Sequence, residues 1–225
     1  MPKKKIRIKA ILFDFDGTLV DSEKIHFQCW KQVLSQYGLT TDYETFLREA
    51  AGIPALEHAE LVTVRHSLGV SAETMVDKAK LIYSDMMKIH DVEFMPFAME
   101  TLQYFHKKGF PMALVTGSIR PQVDPILKEK GIEKYFKTTI TYDDVAKSKP
   151  DPEGYLKAAE FLGFAKAEYL VFEDTANGTK AAKAAGLTCY AIHNDADLHQ
   201  NLAHADNVFL NLKDAVEFLV KENLI

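Results

Sequence analysis

Two aspartates two positions apart, Asp14 and Asp16, close an apolar run in the stretch ILFDFDGTLVDS, residues 11 to 22. Like charges at the mouth of a buried segment repel. Either a cation lies between them, or one keeps its proton, or the pair belongs to an ordinary Asp-Gly turn. Gly17 lets the backbone turn sharply and approach a ligand closely, and the Thr18 hydroxyl can cap the turn. A calcium loop is discarded, because it needs a later glycine, a late glutamate and flanking helices.

Three further clusters share this design. LVTGS, residues 114 to 118, ends an apolar run in Thr116, Gly117 and Ser118, which offer hydroxyls and backbone N–H groups to an anion. The helical stretch PQVDPILKEKG that follows would aim its positive end at the same point. KSKPDP, residues 147 to 152, carries Lys149 held by Pro150, and VFEDTANG, residues 171 to 178, ends its apolar run in Glu173 and Asp174. Carboxylates gathered with no arginine nearby call for a divalent cation, and oxygen donors beside a phosphate-like partner suit Mg2+. Lys149 and the Thr116 region would neutralise phosphoryl oxygens. One aspartate, aligned and freed from bulk water, attacks phosphorus. The other protonates the leaving oxygen and then takes a proton from water.

The elements that position these residues alternate. IRIKAILF, PMALV, TTIT, EYLVF, TCYAI and NVFL are short apolar runs of β type. Helical patterns lie between them: AMETLQYFHKKG, DPEGYLKAAEFLG with Tyr155, Leu156, Ala159 and Leu162 on one face, and NGTKAAKAAG. This alternation predicts an α/β fold, a Rossmann-like parallel sheet covered on both faces. Ligands of such sheets bind at the carboxyl ends of the strands.

Residues 22 to about 92 break the rhythm and read as helices alone. One stripe holds Ile25, Cys29, Val33 and Tyr37. Thr41 and Glu44 make a capping-box pair before Tyr43, Phe46, Leu47 and Ala50. Gly52 and Pro54 interrupt. A further helix carries Leu61 and Val64, and another carries Met75, Ile82, Met86 and Ile89, a methionine-rich face suited to core packing. The predicted organisation is a core domain of residues 1–20 and 94–225, with an all-helical domain of residues 21–93 inserted in it.

Composition bounds the function. The chain has 225 residues, 47% of them apolar, enough for one core and a smaller appendage. A net charge of −5 argues against a nucleic-acid surface, and the basic run KKKIRIK reads as a solvated tail. No stretch approaches the roughly 20 apolar residues of a membrane helix, and with no h-region or cleavage site after Met1 no secretory signal is expected. Cys29 and Cys189 lie far apart and read as buried thiols of a reducing compartment, so a cytoplasmic location is expected.

The ordered set DFDGT, TGS, KSKP and FEDTANG resembles the four motifs of the haloacid-dehalogenase superfamily of aspartyl-phosphate phosphatases. The likeness covers nearly the whole chain and is nearest to the phosphoglucomutase-like and phosphoglycolate-phosphatase-like branch. It implies that Asp14 is the nucleophile and a magnesium ligand. Asp16 is implied as the acid/base, with its backbone carbonyl on the metal. Thr116 and Gly117 would hold the phosphoryl group with Ser118 beside them, and Lys149 would stabilise it. Asp174 would bind Mg2+, with Glu173 assisting directly or through water. The inserted helices would be the family's cap. The second aspartate favours phosphate-ester hydrolysis over dehalogenation. His26 matches a histidine near the cap hinge, where substrate contact competes with a plain helix-surface role. Arg120 follows the second motif, where contact with a substrate anion competes with a solvated helix start, and Asn177 stands where some relatives carry an aspartate.

The expected reaction is hydrolysis of a small phosphorylated metabolite by a monomer, with a dimer possible. A phosphosugar mutase is the rival. It would need a cation to hold a second phosphate, and AAGIPALEH carries no arginine; Arg48 and Arg65 only flank it. A non-catalytic phosphate-binding regulator on the same fold is the third reading.

Overall fold

A computed structural model describes residues 7–50, 53, 55–86, 92–194 and 202–225. The chain begins with β1 (Ala10–Phe13) and β2 (Val20–Asp21). Four helices follow: α1 (Glu23–Ser35), α2 (Tyr43–Ala50), α3 (Ala55–Arg65) and α4 (Ala72–Met86). Then come β3 (Glu93–Phe94), α5 (Ala98–Lys107), β4 (Met112–Val115), α6 (Arg120–Glu129), β5 (Phe136–Ile140) and α7 (Glu153–Leu162). The chain closes with β6 (Tyr169–Glu173), α8 (Ala176–Ala184), β7 (Thr188–Ile192), β8 (Asn207–Phe209) and α9 (Leu212–Lys221).

Two compact units result. One runs through residue 21 and resumes at Phe94; the other is Ser22–Glu93. The first is built on a six-stranded parallel sheet in the order β5-β4-β1-β6-β7-β8. Connections run outward from β1 in both directions, so the order reverses beside it. That makes the carboxyl ends of β1 and β6 the point where ligands of doubly wound sheets bind. Strands buried on both faces need continuous apolar runs, and AILF, MALV and YLVFE are buried throughout. Phe13 lies opposite both Leu114 and Phe172. The next residue of each strand, Asp14, Val115 and Glu173, therefore arrives at one edge. The rings of Phe13, Phe105 and Phe172 pack below that edge with centroids 5.2 to 6.3 Å apart. Each such buried ring contributes about 2–3 kcal/mol, and together they give the site a stiff floor.

The parallel sheet with helices is the fold that the alternation predicts. The first strand is shorter than IRIKAILF, since residues 7–9 lie outside it; the first part of the basic run, residues 3–6, is outside the described residues.

In the helical unit, α1 buries Ile25, Phe27, Cys29, Trp30, Val33 and Leu34. The Cys29 thiol donates to the Ala79 carbonyl at 3.1 Å, and burial pushes it up to about 12, which leaves it inert at neutral pH. One sequence expectation fails here. The Thr41–Glu44 capping box does not form; Asp42 caps α2 instead, accepting from the Thr45 N–H at 2.7 Å. Asp42 stands directly before the first helical residue, where its short carboxylate reaches the third N–H. On α3, Leu61 and Val64 are exposed, and the helix buries His58, Ala59 and Val62. The core face of α4 is Ala72, Met75, Ala79 and Tyr83, with Ile82 and Met86 half-buried. Gly52, Pro54 and Ile89 lie outside the described residues.

His58 gives this unit an acid-sensitive point. Its ring is buried, edge-on to Trp30 at 4.5 Å, and burial pushes its pKa down to about 4 against an upward pull from Glu49. The unfolded chain takes a proton near the ordinary value of 6.5, while the folded imidazole refuses one until about 4. Across that window the unfolded state binds more protons, so stability falls as pH falls. The shift amounts to about 3 kcal/mol. Urea midpoints measured from neutral pH down to about 4 will therefore drop less steeply in His58→Phe than in the wild type. Parallel curves would show that His58 carries no such burden.

Candidate active site

Asp14 follows β1 directly and is buried, its N–H donating to the Phe172 carbonyl at 2.9 Å. Three residues on, Gly17 takes φ +80°, and a Cβ there would collide with the Asp174 carboxylate. Glycine is thus required twice at this position, by backbone conformation and by close approach. The tight turn brings Thr18 round so that its hydroxyl donates to Asp174 at 3.3 Å, rather than only capping its own turn.

Lys149 arrives from the segment before α7. Its ammonium bonds to Asp14, to Glu173 at 2.6 Å and to the Val115 carbonyl at 3.0 Å. Burial alone would lower its pKa, but the Asp14 and Glu173 carboxylates outweigh that and hold it above the ordinary lysine value. It is a fixed cation at any working pH.

Glu173 is fully buried and saturated with donors. Lys149 and the Tyr155 hydroxyl reach one oxygen; the Asp174 N–H, the Thr175 N–H and the Thr175 hydroxyl reach the other. A carboxylate has about four lone-pair positions, so these donors occupy it. Gly178 completes the pocket, since a Cβ there would strike the Glu173 carboxylate. Thr175 also caps α8, accepting from the Gly178 N–H at 3.0 Å.

Asp14, Glu173 and Asp174 each offer an oxygen, all within 4.8 Å of one another. When ionised, these three carboxylates against the Lys149 ammonium leave an excess of two negative charges. Burial, then Asp14 and Glu173, push the Asp174 carboxyl well above the usual carboxylate range. Burial also raises Asp14, with Lys149 opposing and Glu173 and Asp16 adding to the rise. A hard divalent cation fits this set, because every donor is oxygen and two positive charges balance the excess.

Asp16 faces the end of β4. It accepts from the Ser118 hydroxyl at 2.6 Å and the Thr116 hydroxyl at 3.2 Å, while the Ser118 N–H donates to the Thr116 hydroxyl at 3.0 Å. The two hydroxyls that the sequence assigns to an anion thus rest on this carboxylate. Gly117 is exposed between them, at the start of the turn into α6. The structure brings Asp14, Asp16, Thr116, Gly117, Ser118, Lys149, Glu173 and Asp174 to the strand ends of one unit. His26 belongs to the helical unit, where its ring lies 4.7 Å from Tyr83. Arg120 braces β5, its guanidinium donating to Asp144 at 2.6 Å and to the Thr139 carbonyl at 3.2 Å. Asn177 is half-buried in the first turn of α8.

Tyr155 and Thr175 are the residues that the sequence reading leaves out of the site. Tyr155 shows only as one apolar position on a helix face. Its signal was the hydroxyl, which on a buried face must find a partner; the Lys149 ammonium also lies 5.2 Å from its ring centroid.

The family model described as haloacid dehalogenase-like hydrolase matches residues 11–192. Among curated proteins, the chain is 29% identical over 222 residues to the phosphorylated carbohydrates phosphatase of Thermotoga maritima, covering 96% of this chain and 100% of that protein. It is 32% identical to the validoxylamine A 7'-phosphate phosphatase of Streptomyces hygroscopicus subsp. limoneus, covering 93% of this chain and 95% of that protein. Among solved structures, a HAD hydrolase, family IA, variant 3, from Entamoeba histolytica superposes with a TM-score of 0.79 at 24% identity, covering 92% of this chain and 95% of that one. That likeness concerns the fold. Among the described residues, no helix is long and apolar enough to cross a membrane.

Proposed function

We propose that this chain, which belongs to the haloacid dehalogenase-like hydrolase family, is a magnesium-dependent phosphatase of a small phosphorylated metabolite working through an aspartyl-phosphate at Asp14. One observation carries the reading: a lysine held between a strand-end aspartate and a buried glutamate, with a second aspartate in the same oxygen cluster. The names of the relatives, both phosphatases of phosphorylated compounds, favour a sugar-phosphate-like substrate.

In the first half-reaction an Asp14 oxygen forms a bond to phosphorus while the phosphorus–oxygen bond to the leaving group breaks. Asp16 gives its proton to that oxygen. In the second, Asp16 takes a proton from water as the water oxygen bonds to phosphorus and the Asp14 acyl-phosphate bond breaks. Inorganic phosphate leaves and Asp14 is a carboxylate again. Thr116 and Ser118 aim Asp16 until substrate competes for their hydroxyls, and Gly117 turns a backbone N–H to the phosphoryl oxygens. Lys149 meets the negative charge that builds on those oxygens. Asp14 and Asp174, with the Asp16 backbone carbonyl, would hold Mg2+, which when bound supplies further charge neutralisation. Glu173 serves the metal indirectly, because its oxygens are engaged by Lys149, Tyr155 and Thr175.

The helical unit would be the family's cap. Within it Arg65 pairs with Glu49 at 2.8 Å and Arg48 leans on the Thr45 hydroxyl at 3.3 Å. Neither is presented as a free phosphate clamp, which favours hydrolysis over a mutase. The reading predicts phosphate release from p-nitrophenyl phosphate that a chelator abolishes and Mg2+ restores. It also predicts that borohydride quenching during turnover converts residue 14 to homoserine, the product of reducing an acyl phosphate. Full activity in excess chelator would remove the metal from the scheme. Isomerised hexose monophosphate without free phosphate, in an assay primed with the bisphosphate, would make the chain a mutase.

A further inference from the structure

The Lys149 ammonium has three N–H groups, and Asp14, Glu173 Oε1 and the Val115 carbonyl take all of them. Glu173 Oε1 accepts a second hydrogen bond, from the Tyr155 hydroxyl at 2.9 Å. Tyr155 is fully buried, and the ammonium lies 5.2 Å from the centroid of its ring. One stretch of chain delivers both side chains, because Lys149 precedes α7 and Tyr155 lies in the first turn of that helix. That turn approaches the end of β4 closely: a Cβ on Gly154 would meet Val115 Cγ1 at 3.0 Å. The Tyr155 ring belongs to the apolar core with Leu12, Val115 and Val171, while its hydroxyl reaches the charged cluster.

Packing explains the ring but not the hydroxyl, since phenylalanine would fill the same core space. The hydroxyl is explained by Glu173. One oxygen of that carboxylate is fixed by the Asp174 N–H, the Thr175 N–H and the Thr175 hydroxyl. The other, Oε1, receives Lys149 and Tyr155. Burial, then Glu173 and Asp14, hold the phenol well above its ordinary pKa, so it keeps its proton and stays a donor. To meet phosphoryl oxygens, the ammonium must release one of its three partners. Asp14 is the partner whose oxygen changes its bonding, so Asp14 is the one released. The ammonium then rests on the Val115 carbonyl, which the strand holds, and on Glu173 Oε1. Without the hydroxyl, that buried oxygen loses one of its two donors. A carboxylate left short of donors in a dry site draws its remaining cation closer, away from the atoms that react.

We propose that Tyr155 is a positioning residue for Lys149: its hydroxyl holds the Glu173 oxygen on which the ammonium rests, and so sets where that charge stands when it turns from Asp14 to the phosphoryl oxygens. The catalytic part of this inference rests on the phosphatase reading; the placement of the ammonium does not.

The test compares the full-length wild type, Tyr155→Phe, Lys149→Met and the double variant on p-nitrophenyl phosphate with Mg2+. Tyr155→Phe is expected to lower kcat about tenfold, the worth of one hydrogen bond to a charged group, with KM changed less than about twofold. In the Lys149→Met background the same substitution should cost less than about twofold, because the group it positions is gone. A hydroxyl that serves the core alone would lower the melting midpoint and leave kcat unchanged, which overturns the proposal. Equal losses of kcat in both backgrounds overturn it too. A second readout needs no turnover. In 15N-lysine-labelled protein the Lys149 ammonium resonance, assigned by its loss in Lys149→Met, is expected to move in Tyr155→Phe, since phenylalanine keeps the ring and removes only a donor to Glu173. An unmoved resonance rejects the positioning role. A wild type that cleaves no ester would sink the phosphatase reading instead, and the resonance alone would then decide whether Tyr155 places the ammonium.

Discussion

Asp14→Asn will lower phosphate release by at least about 10⁴-fold, the scale seen when a nucleophile is removed from a preorganised site. The amide matches the carboxylate in size but has no anionic oxygen to bond to phosphorus. Its effect on stability runs the other way. Asp14 is buried beside Glu173 and Asp174, and burial, with Lys149 opposing and Glu173 and Asp16 adding, holds its carboxyl above the usual range. Removing one negative charge from that group relieves repulsion, while Lys149 keeps Glu173 as a partner at 2.6 Å. The metal-free variant is therefore expected to melt no lower than the metal-free wild type while being catalytically dead. Measuring kcat/KM and the melting midpoint on one preparation separates a lost nucleophile from a damaged fold. Undiminished turnover in the variant would reject Asp14 as the attacking group. A wild type that binds phosphate but releases none from any ester would instead support the regulatory reading.

The parts of this site that are legible in the sequence are those the strand ends dictate. An apolar run that stops at a carboxylate names both the strand and the residue at its mouth, which is how Asp14, Thr116, Glu173 and Asp174 stand out. Lys149 is legible because a polar-rich loop with two prolines precedes a helix. What the sequence hides is what those residues do for one another. Glu173 reads in the sequence as a candidate metal residue alone, and its five donors do not show there; two of them, Lys149 and Tyr155, come from positions 24 and 18 residues away. Gly178 looks like a helix weakness, although the space its missing Cβ leaves is filled by the Glu173 carboxylate. The helical unit misleads for a related reason. Its helices are amphipathic enough to recognise but carry apolar residues on more than one face. Leu61 and Val64 on α3 are exposed, and a histidine takes the buried place beside Val62. Periodicity alone does not choose between faces when both offer apolar side chains.

The second large effect concerns Lys149, whose loss should strike folding and catalysis together. Lys149→Met keeps the length of the side chain and removes its charge. Asp14 and Glu173 then face each other and Asp174 with no internal cation. Breaking a buried pair from one side typically costs about 3–5 kcal/mol, which for a chain of this size is a fall of roughly 10 °C in the melting midpoint. Activity should drop about 10²–10³-fold through loss of charge stabilisation on the phosphoryl oxygens. Mg2+ should raise the midpoint of the variant, because a dication binds the folded carboxylate cluster and not the unfolded chain. A double variant isolates the part played by Glu173. If this glutamate chiefly anchors the ammonium, Glu173→Gln costs stability in the wild type yet little or nothing in Lys149→Met, where its charge has become a liability. The coupling, read from urea unfolding of all four proteins, should reach about 1–3 kcal/mol. Simple additivity would mean that Glu173 and Lys149 act separately, and that the buried glutamate is there for the turn into α8 rather than for the lysine.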